Sequence, residues 1–491
     1  MAEKRAGVSI GAKAFLASFL ILLALMAGAG VLTRVLPAGA FDRVAGPSGP
    51  VIDPASYRIL PRPDYPVWRW FLAPVEVLGS EDALLVLVIV AFIAVVGGSF
   101  AVLQKAGILE AAVRSLASRA GGRKYRLLAL VALFFMLIGS LMGIFEEVIP
   151  LVPVAIALAA SLGWDLMVGL GMSILATGFG FSAAIANPFS IGTAQRLAGL
   201  PVFSGAAFRV LVFAVVYALY AAWLVGAAKR SERRARAALD SGGAVAQAGG
   251  AATQAGAQGA GVGEGGEAGL DPAKVARGVR FFAGAAVLLL LVVVAISVTQ
   301  TLSDYSMPIT ALLFLVAGSG SGLVAGLRPR KALKAFLEGI VGILPGIVLI
   351  LMAVSVKRII VTGGIMDTIL ESARRAVAGS SGYGAAALIY LFTLAMNFFI
   401  GSAAAKAFLL IPILAPLGDL AGVSRQVVVQ AFAFGDGFSN MLYPTNAVLL
   451  ISLGIAGLSW PAWLRRTWKL QAGMLAATMG LLMLAVAIGY R

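Results

Sequence analysis

Apolar residues along this 491-residue chain run for about twenty positions at a time without a charge. Seven such runs stand out, at 14–33, 83–104, 210–228, 281–303, 305–327, 339–356 and 470–490. Each is long enough, or nearly so, to cross a hydrocarbon core of about 30 Å as a helix. Four further apolar stretches are interrupted. Those at about 127–162 and 384–417 carry polar residues midway, at Gly139-Ser140 to Glu146-Glu147 and at Gly401 to Lys406, and read as re-entrant hairpins. Those at about 166–196 and 427–453 carry nearly the same break: Gly180-Phe181-Ser182 with Asn187-Pro188, and Gly437-Phe438-Ser439-Asn440 with Pro444. Helix breaks at corresponding positions of two halves point to the binding site of a transporter. The pattern predicts an all-α polytopic membrane protein with about nine crossings, two re-entrant hairpins and two broken helices.

One stretch does not belong to a membrane. Residues 229–280 open with a basic run and continue as a Gly/Ala/Gln tract, a composition expected of a flexible cytoplasmic linker. It separates a first membrane repeat (1–228) from a connecting span (281–303) and a second repeat (304–491). Several anchors recur in the same order. Ala106-Gly107-Ile108-Leu109-Glu110 resembles Gly363-Gly364-Ile365-Met366-Asp367, and Gly163 and Gly422 each lie ten residues after a proline, Pro153 and Pro412. Pro188 to Arg209 and Pro444 to Arg465 both span 21 residues. Together they predict an internal repeat. With the basic loops inside, the N-terminus is cytoplasmic, the C-terminus is outside and the repeats run in opposite directions. Lys357-Arg358 and Arg374-Arg375 are the exception, four basic residues on the outer side.

Composition narrows the chemistry. Hydrophobic residues make up 60% of the chain and charged ones 12%, about half the usual share for soluble proteins. Mean hydropathy is +0.97. With no His and no Cys, the chain has no imidazole or thiolate metal ligands and no histidine relay, and cannot build a Ser-His-Asp triad or an H-E-x-x-H protease. We therefore expect no enzyme, no bound metal and no cofactor, with Na⁺ or H⁺ as candidate coupling ions. The formal charge of +16 comes from Lys and Arg gathered beside the apolar runs: Lys4, Arg5, Lys13, Arg114, Arg119, Arg123, Lys124, Arg126 and later clusters. That is the positive-inside pattern and not a nucleic-acid surface. Ala38-Gly39-Ala40 imitates a cleavage site, but the 20-residue run before it exceeds a signal peptide's core and Arg34 intervenes, so it reads as an uncleaved first helix.

Irregular backbone at membrane depth is tolerated only where it is buried in protein or lines a wet cavity. Both breaks and both hairpin tips are therefore expected in one polar site. Ser182, Asn187, Ser190 and Thr193 in one half, and Ser439, Asn440, Thr445 and Asn446 in the other, supply neutral donors and acceptors, unless they merely satisfy backbone at a kink. Asn397 and Ser402 belong to the second hairpin. Glu146 and Glu147 are costly at mid-bilayer, about 2.5–3.5 kcal/mol for an acid on insertion scales. Adjacent helical positions point about 100° apart, so one of the pair is expected to face the site. Lys406, at the matching position of the second hairpin, is either a counter-ion to Glu147 or a holder of a substrate carboxylate. Asp436 is a partner for a substrate ammonium or coupling ion, or a buried structural carboxylate. This set suits a zwitterionic or cationic amino acid.

Several segments resemble the YfcC family of bacterial inner-membrane proteins: Asn397-Phe398-Phe399-Ile400, Pro412 to Asp419, Gly422 to Gln426, and Phe434-Gly435-Asp436-Gly437-Phe438-Ser439. Leu36 to Asp42, Ile52 to Arg58 and Glu146-Glu147 extend the resemblance over nearly the whole chain except the linker. That family is grouped with C4-dicarboxylate (DcuC-like) carriers in the ion-transporter superfamily. The resemblance implies inverted repeats, two re-entrant hairpins, two broken helices, a bacterial inner-membrane location and a homodimer. Some relatives exchange arginine for ornithine, and others are described as dicarboxylate or short-chain acid carriers. The resemblance implies a neutral Gln at the position of Lys406, so this chain departs from it there, and an extra cation would favour an anion. The expected function is secondary active transport of a small molecule by alternating access, with basic amino acid exchange leading. C4-dicarboxylate or short-chain carboxylate transport is the alternative, and a non-transporting membrane receptor or scaffold the reading from another class. Besides substrate, lipid is the partner, and nucleic acid is not.

Overall fold

The computed structural model describes residues 12–46, 49–80, 83–112, 115, 123–240, 270–299 and 305–491. Within them the chain is all-α and polytopic. Helix α1 (Ala12–Val35) leads into two short antiparallel hairpins, with β1 (Gly39–Ala40) paired to β4 (Arg58–Ile59) and β2 (Arg43–Gly46) to β3 (Gly49–Ile52). Then follow α2 (Val67–Glu76), α3 (Ala83–Lys105) and α4 (Lys124–Met142). A 3₁₀ turn, Glu146–Leu151, opens α5 (Val152–Ser161), which is succeeded by α6 (Leu166–Ser182). A π turn, Pro188–Gly192, then opens α7 (Thr193–Leu197). The remainder is α8 (Ala206–Asp240), α9 (Pro272–Thr299), α10 (Ser306–Val324), α11 (Pro329–Thr362), α12 (Met366–Ala378), α13 (Gly382–Met396), α14 (Ala403–Leu420), α15 (Arg425–Ser439), α16 (Ala447–Ile455) and α17 (Trp460–Ala487).

Among the described residues nine helices are long and apolar enough to cross a membrane. Seven coincide with the uninterrupted runs. The other two, α4 and α14, are arms of the hairpin segments. Neither broken helix qualifies, because each is divided into pieces too short to span alone.

Two groups of helices pack mainly among themselves. In one, α3 lies against both α10 and α11, with α9 on α10 and α1 on α11. Small residues let these backbones meet: a Cβ on Gly339 of α11 would lie 2.4 Å from the Gly97 carbonyl of α3, and one on Gly318 of α10 would lie 2.6 Å from Ser99 Cβ. In the bilayer, helices associate through such close packing, since lipid tails are as apolar as leucine. In the other group α4 packs on α6, α15 on α6 and α13, and α14 on α7 and α15. The site lies in this second group.

Local geometry recurs in the two halves. Gly107 and Gly364 are both left-handed (φ +67° and +72°), as are Gly163 and Gly422 (φ +79° and +73°), which end α5 and α14. An L side chain is strained there, so these glycines mark matching turns.

The stretch read as a linker is shorter in the structure. α8 carries the basic run to Asp240 as helix and α9 begins at Pro272, so the expectation of flexibility falls on 241–269, outside the described residues. Helix persists because Ala, Arg and Glu are good helix formers and because Glu232 is anchored. Its carboxylate accepts from Tyr125 and Trp164 (both 2.7 Å) and pairs with Lys124 at 2.6 Å. Lys4, Arg5, Arg114 and Arg119 also lie outside the described residues. On α12, Arg374 and Arg375 both pair with Glu371, at 2.5 and 2.7 Å, so part of the charge expected on the outer side is compensated locally.

Candidate functional site

Both broken helices stop at the repeated Gly-Phe-Ser, and they cross there. A Cβ on Gly437 would lie 2.3 Å from Ser182 Cα and 2.4 Å from its Oγ, so only glycine permits this contact between α15 and α6. Ser182 donates to the Gly178 carbonyl and Ser439 to that of Gly435, both at 2.7 Å, closing the last turn before each break. Beyond each break an asparagine restarts the helix. Asn187 Oδ1 accepts from the Phe189 and Ser190 N–H groups at 2.9 and 3.1 Å, and Asn446 Oδ1 accepts from Leu449 N–H at 3.0 Å. Asparagine suits an N-cap because its side-chain oxygen reaches the orphan donors of the first turn.

The hairpin turns meet the breaks at matching points. Ser140 Oγ, at the end of α4, donates to the Ala183 carbonyl at 2.8 Å, and the Ser140 carbonyl accepts from Ile185 and Ala186. Asn397 Nδ2, just after α13, donates to Ser439 Oγ at 2.7 Å and Asn440 Oδ1 at 2.9 Å. The pairs Ser140–Ala183 and Asn397–Asn440 are displaced by the same 257 positions as Ser182 and Ser439. Other unwound carbonyls are covered too. Arg209 Nε donates to Ile185 at 2.8 Å, Trp463 Nε1 to Met441 at 2.9 Å, and Trp460 Nε1 to Leu442 at 2.9 Å. Backbone removed from helix must find such partners within the membrane.

The charges are unequally placed. Lys406 Nζ is fully buried, lies 2.6 Å from Asp436 Oδ1 and donates to Asn397 Oδ1. Asn440 Oδ1 also accepts from Asn446 Nδ2 at 3.0 Å. Asn397, Lys406, Asp436, Ser439 and Asn440 therefore form one buried network with half-buried Asn446 at its edge, and the charge of Lys406 is taken up by Asp436. The contact with Asp436 is electrostatic: neither of its carboxylate oxygens accepts a well-directed hydrogen bond within the described residues. Glu147 is buried and Glu146 half-buried, both on the 3₁₀ turn that packs against α10 and α16, so the acidic turn of the first half touches the half-helix following the second break. Glu146 lies within electrostatic reach of Asp436, and no ion pair to it forms among the described residues.

The remaining sequence-predicted residues divide in two. Thr193 donates to the Pro188 carbonyl at 3.1 Å and Ser402 accepts from Ala405 N–H at 3.3 Å, both local backbone roles. Asn187 Nδ2, Ser190 Oγ and Thr445 Oγ1 are buried polar atoms without a hydrogen-bond partner. Buried polar atoms rarely stay unpaired, so among the sequence-predicted residues these three are the candidates for contact with a ligand. Sequence reasoning left out Ser140, whose signal was its 257-residue displacement from Asn397, and Thr393 and Gln430, buried in the second half with unpaired side-chain atoms. It also treated Arg209 as a repeat marker only. That guanidinium is buried and bonded to three carbonyls and Tyr490 OH, with no carboxylate among the described residues.

A family sequence model described as C4-dicarboxylate anaerobic carrier matches residues 15–255 and 267–487. The chain is 27% identical over 471 residues to YfcC of Escherichia coli (strain K12), covering 88% of each; that protein's name makes it, provisionally, a basic amino acid antiporter. It is 25% identical over 396 residues to an uncharacterized protein of Haemophilus influenzae, covering 79% of this chain and 72% of the other. Among solved structures it is similar to the YdaH transporter of Alcanivorax borkumensis, with a TM-score of 0.44 at 18% identity over 96% of this chain and 99% of that one. It is also similar to MtrF of Neisseria gonorrhoeae, with a TM-score of 0.37 at 14% identity over 96% and 94%.

Proposed function

Because the chain belongs to the C4-dicarboxylate anaerobic carrier family and is a multi-pass membrane transporter of that type, we propose that it exchanges basic amino acids across the bacterial inner membrane. In this reading alternating access works on the junction of breaks and hairpin tips. The repeats are inverted, the N-terminus is cytoplasmic, the C-terminus lies outside, and two copies pair as a homodimer. The observation that carries the substrate class is the Lys406–Asp436 ion pair. With Lys406 so engaged, its charge is not offered to a substrate carboxylate, and Glu146 remains as a carboxylate able to meet a cationic side chain. The neutral atoms Asn187 Nδ2, Ser190 Oγ and Thr445 Oγ1 would take the α-amino and α-carboxylate groups.

Transport of a C4-dicarboxylate or short-chain carboxylate is the second reading. Arg209 favours it: a buried guanidinium with no carboxylate partner among the described residues, bonded to the backbone of the first break, raises the local potential for an anion. Uptake into proteoliposomes separates the two. Radiolabelled arginine, lysine and ornithine are tested beside C4-dicarboxylates, with and without internal counter-substrate and ion gradients. The leading reading expects uptake of a basic amino acid driven by internal basic amino acid and weakened by Glu146→Gln. Robust dicarboxylate uptake with no response to the basic amino acids would replace it.

A further inference from the structure

The repeat gives the molecule two junctions of hairpin turn and helix break; the first has Arg209 bonded to its Ile185 carbonyl, and among the described residues only the second holds a side-chain cation against a carboxylate. At the first, Ser140 and Asn187 are neutral, and Gly143 approaches so closely that a Cβ on it would lie 2.2 Å from Asn187 Oδ1. At the second, the Lys406 ammonium faces Asp436 Oδ1 at 2.6 Å and Asn397 Oδ1, beside the C-terminal end of α15. Every partner is an oxygen. Oxygen ligands are what hard cations take, and helix C-terminal ends with unwound carbonyls are where transporters hold coupling cations. A positive charge is also required there. Asp436 is fully buried at the negative end of a helix, within electrostatic reach of Glu146, and among the described residues the one ion pair its carboxylate makes is with Lys406.

We propose that Lys406 is a tethered substitute for a free monovalent cation. Its ammonium supplies at the second junction the charge that an ion from solution would otherwise bring, so this half of the site operates without one. The inference concerns coupling and goes beyond the substrate reading. It predicts that shortening the tether opens a cation site: in Lys406→Ala, Asp436 and Asn397 present free oxygens around the space left by the side chain.

The test is thermal unfolding of the purified full-length protein in NaCl, LiCl, KCl and choline chloride at equal ionic strength. Lys406→Ala is expected to melt below the wild type in choline and to rise saturably with at least one alkali cation, as mass action requires of a bound ligand. The wild type is expected to show no matching rise, and neither is the double variant Lys406→Ala with Asp436→Asn. Transport by Lys406→Ala is expected to fall about tenfold or more in choline and to recover with that cation, because the buried carboxylate has regained a partner. A variant whose midpoint follows alkali cations no more than the wild type's overturns the proposal. If Lys406→Ala does not survive purification, Lys406→Gln is measured instead and judged by the same two outcomes. The melt needs no substrate, so its failure is separate from a failure of the basic amino acid reading.

Discussion

At the scale of single residues, the second break is held by charge, and the crossing of the two broken helices by the absence of a side chain at Gly437. Removing one member of a buried ion pair leaves the other uncompensated, at a cost of about 3–5 kcal/mol, whereas removing both costs less. Asp436→Asn is therefore expected to lower the melting midpoint strongly, and adding Lys406→Met should recover part of the loss. Strictly additive losses would mean that the two do not interact. Gly437→Ala places a methyl group against Ser182 and is expected to cost about 1–3 kcal/mol with a parallel fall in transport. Wild-type melting and exchange in that variant would show that α6 and α15 do not press together there. Much of this chemistry was legible in the sequence, because a polar residue in an apolar run is expensive and so conspicuous. Ser182, Asn187, Lys406, Asp436 and Asn440 all announced themselves that way. The pairing did not: that Lys406 meets Asp436 depends on how α14 leans on α15, and one sequence gives no such distance. Ser140 was visible only through its displacement, since a serine near Gly139 reads equally as a helix end.

The elements follow from local rules more directly than the contacts do. Each break is Gly-Phe-Ser, then unwound backbone, then an asparagine cap, and the caps at Asn187 and Asn446 explain why helix resumes where it does. The short strands of residues 39–59 gave no such signal, because two-to-four-residue pairings carry no readable alternation. They are held by tertiary contacts with α12, where Asp367 accepts from Phe41 N–H at 2.9 Å and Arg43 at 2.9 and 3.0 Å. On the same helix the hydrogen bond from Arg374, followed by that from Arg375, holds the Glu371 carboxyl below its usual range, against the opposing effect of burial. A carboxyl depressed in the folded state stabilises above its unfolded pKa, and that contribution is lost as pH falls through the folded value. Glu371→Gln should thus melt below the wild type at pH 7, and the gap should close as pH drops below about 4, near the ordinary carboxylate value. A gap independent of pH would place the effect of Glu371 in packing alone.

For the whole molecule, the decisive quantity is the direction in which each half crosses the membrane, which helix geometry alone does not set. Charge placement sets it in the sequence reading, with the turn after the first hairpin inside and the matching turn after the second outside. The structure supplies suitable reporters. Ser161 ends α5 and Leu420 ends α14; both are exposed, and each lies just before its left-handed glycine, Gly163 or Gly422. The chain has no native cysteine, so Ser161→Cys and Leu420→Cys each carry a single thiol on an otherwise silent background. If the repeats are inverted, a membrane-impermeant maleimide added to intact spheroplasts should label Leu420→Cys and spare Ser161→Cys, and inside-out vesicles should reverse the pattern. Labelling of both from one side would make the halves parallel, and the two junctions could not then open alternately to opposite faces by exchanging equivalent conformations. Labelling in the opposite sense would keep the inversion but turn the molecule over. In that case Lys357 and Arg358, with the Arg374–Arg375 pair beside Glu371, would lie on the side that basic residues prefer, and the other basic loops would become the exception.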